Sequence, residues 1–146
     1  MTSPIKVEVK NVKEVNKAIS KYGQDLSNKI DRLVQGIAMN AMSDVKRRIQ
    51  SPPKTGEIYR RGNITHQASA PGESPATDTG SLASSIYYKQ KGSMNATIGS
   101  RLDYSYYLEF GTLNIKPRPS WQLSAAIAQK QLNAAIQSAI KKAAMK

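Results

Sequence analysis

The chain is expected to be an α+β domain. A small antiparallel sheet packs against a long N-terminal helix and a C-terminal helix, with a long central loop between them. Three observations lead there. One apolar stripe at helical spacing runs from Val12 to Ile49. Two short strand-like segments, 85–90 and 95–100, flank a connection that contains a glycine. The last part of the chain, after Ser120, is rich in alanine with regularly spaced large apolar residues. At 146 residues, a single domain over 1–146 with one modest core is expected.

Each element has a local reason. In residues 4–10, Ile5, Val7 and Val9 alternate with Lys6, Glu8 and Lys10, the period of a half-buried strand. Asn11 can cap the following helix, with Glu14 three residues on. Val12, Val15, Ile19, Tyr22, Leu26, Ile30, Leu33 and Ile37 then step by three and four, and Ala41, Val45 and Ile49 continue the stripe. An unbroken helix here would be about 58 Å long at ~1.5 Å per residue, so Gly23 or Gly36 is expected to bend or split it. Pro52 ends it, because Ser51 before it is disfavoured in the α conformation. Residues 51–77 carry four prolines and three glycines and read as an extended loop of 27 residues.

Structure resumes at Asp78-Thr79-Gly80. Asp78 or Thr79 can accept from the free N–H groups of a short helix over 80–85. In the hairpin that follows, Ile86 and Tyr88 share one face, as do Ala96 and Ile98. "YSYYLEFGT", residues 104–112, does not decide between a helical turn and a strand. Pro117 and Pro119 keep the next segment extended, and Ser120 is expected to cap a final helix over 121–143. Trp121, Leu123, Ile127, Leu132, Ile136 and Ile140 are its expected anchors.

Composition narrows the function. The absence of cysteine excludes disulfides and thiolate metal sites and fits a reducing compartment. No apolar run reaches the ~18 residues of a membrane span, and the alternating N-terminus does not read as a secretory signal. The net charge is +12, with six Lys or Arg and no acid in residues 113–146. Such a tail suits an acidic partner, either nucleic acid or an acidic protein surface, and it also suits the dipole of a C-terminal helix.

No catalytic constellation is legible. The one histidine, His66, sits in the polar loop without a sequence neighbour that could share a metal or a proton relay. The ten acids are dispersed, and no phosphate-binding loop is present, so no enzyme, cofactor or metal is expected. Glu109, flanked by aromatics, is either an interface anchor for a neighbour's Arg or Lys, or an outward-facing side chain. Tyr87, Tyr88, Tyr104, Tyr106 and Tyr107 suit sheet and interface positions, or stacking on bases. Lys54, Arg60 and Arg61 put cations on the loop, where they can reach phosphate or an acidic neighbour.

Three pieces in this order are jointly distinctive. First comes a Pro-rich stretch leading into Asp78, Thr79, Gly80, Leu82, Ser85 and Ile86. Then come Tyr104, Tyr107, Glu109, Gly111 and Thr112, and finally Pro117 and Pro119 before the last helix. Together they resemble the head–tail joining, or tail-completion (neck), proteins of long-tailed bacteriophages, and the resemblance spans about residues 66–125. It implies a non-enzymatic virion protein of the neck, assembled in the host cytoplasm. The implied assembly is a homo-oligomeric ring, expected to be hexameric, between the head connector or stopper and the tail terminator or tail tube. Phage DNA would pass through its lumen, and no membrane is involved. Lys54, Tyr59, Arg60, Arg61, His66, Glu109 and Arg118 are the expected interface residues, and residues 54–76 are expected to contact another chain more than their own. The alternatives are a tail terminator capping the tube, and a basic nucleic-acid-binding protein.

Overall fold

The computed structural model describes residues 7–8, 12–51 and 54–145. In chain order the elements are β1 (Val7–Glu8), α1 (Val12–Tyr22), α2 (Gln24–Gln50), β2 (Ile58–Arg61) and β3 (Ile64–Gln67). They continue as α3 (Ser81–Ser85), β4 (Ile86–Gly92), β5 (Asn95–Ser100), α4 (Tyr104–Phe110) and α5 (Trp121–Ala144). The fold class is the expected α+β.

The long apolar stripe divides at Gly23, where φ is +87°, and Gly36 stays inside α2. Along α2 the buried residues are Leu26, Ile30, Val34, Ala41, Val45 and Ile49. The drift from Leu33 to Val34 keeps the buried line facing α5 and the sheet. Two apolar clusters form along this helix. One joins Val15 of α1, Leu26, Ile30 and Val34 to Met94, Leu132 and Ala139. The other joins Ala41, Val45 and Ile49 to Leu82, Ile86, Ile98 and Trp121. Ala38 and Tyr88 pack against both, so the core is continuous.

The main sheet has the order β1-β5-β4, antiparallel throughout. Tyr88 pairs with Ile98 and Gln90 with Ala96, and the register shifts between Gln90 and Gly92 near the turn. Ile86, Ala96 and Ile98 are buried and Tyr88 is half-buried, as the alternation predicts. Of the expected strand at 4–10, Val7 and Glu8 pair with β5 and the other positions lie outside the described residues.

The segment expected to be uninterrupted loop holds a second sheet. β2 and β3 form an antiparallel hairpin with Tyr59 opposite His66 and Arg61 opposite Ile64. Gly62 and Asn63 make the two-residue turn, with Gly62 at φ +61°. A positive φ there is what the right-handed twist of a tight hairpin requires. The dipeptide was the available signal. It was masked because the flanking strands have no buried face and so no clean alternation.

α5 corrects part of its expected anchoring. Trp121, Ser124, Leu132 and Ala139 are buried, while Leu123 and Ile127 are exposed. Among the described residues, no helix is long and apolar enough to cross a membrane.

Candidate assembly surface

The hairpin stands on a base that is bonded to its own chain. Lys54 Nζ donates to the carbonyls of Arg48 (2.8 Å) and Ser74 (2.9 Å). Burial lowers its pKa from the usual lysine value, with nearby Glu73 opposing the shift. The Glu73 carboxylate accepts from the Thr55 hydroxyl and the N–H groups of Ala70 and Thr55, and these bonds hold it below the usual carboxylate range. Gly72 N–H donates to the Pro117 carbonyl at 2.9 Å, and the Ser74 hydroxyl to that of Pro119 at 2.8 Å. Arg118 Nε reaches the Ser69 carbonyl at 3.2 Å. Ser69 and Pro75 are buried. Residues 68–76 therefore belong to the body of the subunit, where no core role was expected, and the projecting part is the hairpin at 58–67.

One carboxylate sets how the hairpin leaves the body. Asp78 pairs with Arg61 Nη1 at 2.9 Å and lies 3.1 Å from His66 Nε2. His66 stacks on Tyr59 at 5.6 Å between ring centroids. Its side chain is only 13 % exposed, so it is not the free loop histidine the sequence suggested. Asp78 therefore does not cap α3. Gly80 holds the cap position, and Thr79 Oγ1 accepts from the Ser81 N–H at 3.3 Å. The rest of that motif is structural. Leu82 and Ile86 enter the core, and the buried Ser85 hydroxyl bonds to the Leu82 carbonyl and the Ser100 hydroxyl.

The second surface starts at "YSYYLEFGT", which is a helix. Ser105 and Glu109 face inward. Asp103, Tyr106, Tyr107 and Phe110 fall at i, i+3, i+4 and i+7, one exposed face. Tyr106 packs on Phe110 at 4.8 Å between centroids and meets Tyr107 edge-on at 6.0 Å. Tyr104 is exposed as well. Tyr87 and Tyr88 belong elsewhere, on the sheet, with Arg101 over the Tyr87 ring and the Tyr88 hydroxyl donating to Gln35.

Glu109 overturns both sequence readings. It is 2 % exposed. Its carboxylate accepts from the backbone N–H groups of Ser120 (2.8 Å), Trp121 (3.0 Å) and Gln122 (2.7 Å). Those are orphan donors at the start of α5, so Glu109 caps that helix from another element, and the Ser120 side chain makes no cap bond. Gly111 follows at φ +78°, and a Cβ there would stand 2.7 Å from the Ile115 carbonyl oxygen and 3.0 Å from Pro117 Cδ. Only glycine fits that turn. Thr112 shapes it, with Oγ1 accepting from the Asn114 and Ile115 N–H groups. Beyond it Leu113 is fully exposed.

Exposure is thus concentrated. Among the described residues thirteen large apolar side chains are exposed, and nine of them fall in two short stretches, 58–64 and 104–115. Among the described residues no cluster of three or more His, Cys, Asp or Glu could hold a metal ion. This is an α+β protein whose distinctive features are a projecting hairpin and an aromatic helix face.

The chain belongs to the HK97 gp10-like family of bacteriophage proteins. The family model, described as "Bacteriophage HK97-gp10, putative tail-component", matches residues 13–111, from α1 to the Gly111 turn. No curated protein and no solved structure matches the chain. As a member of this family it is a structural tail component of a phage virion, and not an enzyme.

Proposed function

We propose that the chain is the head–tail joining, or tail-completion, component of its virion, forming a ring at the neck. The ring is hexameric, stands between the head connector and the tail, and surrounds the DNA channel. Family membership supports a tail role, and the ordered motif from Asp78 to Pro119 supports the neck. The observation that carries the ring is the separation of exposed apolar residues into two unlike patches on one chain. Two unlike patches that fit each other make head-to-tail contacts, and such contacts generate rings when the rotation closes.

The charge fits acidic protein partners above and below better than a tightly gripped genome. Many phosphate contacts would resist DNA transit, since each contributes to binding at low salt. Loss of the gene tests the assignment. The expected result is full heads beside free tails of normal length. Overlong tails would assign the chain to the tail-terminator position instead. Steep, salt-dependent duplex binding by the purified chain, with no place in the virion, would make it a nucleic-acid-binding protein.

A further inference from the structure

We propose that the β2–β3 hairpin of one copy docks on the α4 face of the next, with Ile58 and Arg60 set against Asp103, Tyr106 and Phe110 of the second copy. This rests on the ring reading above and names the contact that would build it. The hairpin has the form of an arm. Ile58 and Ile64 are 68 % and 61 % exposed, and a two-stranded hairpin without a packed face is marginal in water. Strand alternation puts Ile58 and Arg60 on the face opposite Tyr59 and Arg61. The Asp78 contacts engage Arg61 and His66, which leaves Ile58 and Arg60 outward.

Charge decides which surface the arm fits. The Arg60 guanidinium makes one internal bond, Nε to the Gly62 carbonyl at 3.1 Å, and forms no ion pair among the described residues. Asp103 is exposed, makes no side-chain cap bond and has no ion pair among the described residues. It stands on the same helical face as Tyr106 and Phe110, so the face offers a carboxylate and electron-rich rings together, a site suited to a guanidinium. Arm on arm would set Arg60 against Arg60, and face on face would set Asp103 against Asp103. Only arm on face pairs opposite charges, and in a chain of net charge +12 that difference selects the contact.

The test uses the full chain with exposed positions only. Sedimentation velocity over a concentration series is expected to show wild-type self-association. R60E and D103R should each move the midpoint to at least about tenfold higher concentration, with unchanged circular dichroism. Mixing the two variants should restore assembly, because each arm then meets a face of opposite charge on the other variant. The double variant R60E/D103R should recover assembly with the charges exchanged. The contact is overturned by a wild-type chain that stays monomeric, by single variants that assemble normally, or by a double variant without recovery. Normal assembly of R60E leaves the neck reading standing. Virions without this chain at the junction remove the neck reading even where the solution contact is present.

Discussion

Glu109 is buried because three backbone donors need it there. Glu109→Ala leaves the N–H groups of Ser120, Trp121 and Gln122 without their acceptor, at a cost of about 1–3 kcal/mol. Glu109→Gln keeps one carbonyl acceptor and is expected to lose less. Urea unfolding of the two variants checks this, and equal midpoints for E109A and wild type would remove the capping role. Asp44 supplies the pH dependence. Burial pushes its carboxyl up, but hydrogen bonds from Ser124, Arg47 and Arg48 outweigh burial and hold it at about 2, below the usual 3.8. A depressed folded-state pKa gives stability that is present above pH ~4 and lost as pH falls towards ~2. Solvent screening limits it to about 1 kcal/mol. Asp44→Asn should lower stability by about 1 kcal/mol near neutrality and flatten the acid limb of the stability–pH curve, so that the two chains converge towards pH ~2.

At the scale of elements, the arm is a device with its own fastening. Asp78→Ala frees Arg61 and His66 together. Amide exchange in 58–67 should accelerate while global unfolding shifts by no more than about 1 kcal/mol, the usual worth of a part-exposed ion pair. Unchanged exchange there would mean that the base bonds alone hold the arm. This element also shows what a sequence conceals. The long helices and the β4–β5 hairpin were legible because their core-facing residues print a period in the chain, whereas the short α4 prints none. The arm buries neither face, so Ile58, Tyr59 and Ile64 sat among polar residues as apparent loop. Asp78 and Glu109 were misassigned for a related reason. Asp78 pairs with Arg61 and lies beside His66 of the arm, and Glu109 accepts from Ser120, Trp121 and Gln122. No local pattern marks a carboxylate whose partners are brought to it by the fold.

For the whole molecule, α2, α5 and the three-stranded sheet enclose the core, and most of the exposed large apolar side chains lie on the arm and in residues 104–115. The residues that carry the sequence resemblance have structural tasks in this fold: Thr79 and Gly80 start α3, Ser85 joins it to the sheet, Gly111 and Thr112 turn the chain, and Glu109 fastens the turn to α5. Leu123 and Ile127, expected in the core, lie on the outside of that last helix and extend the apolar surface. The Glu109 clasp has a mechanical consequence. The aromatic face and a 24-residue helix are tied through one carboxylate. A pull applied at the tyrosines therefore reaches the start of that helix through three hydrogen bonds as well as along the chain.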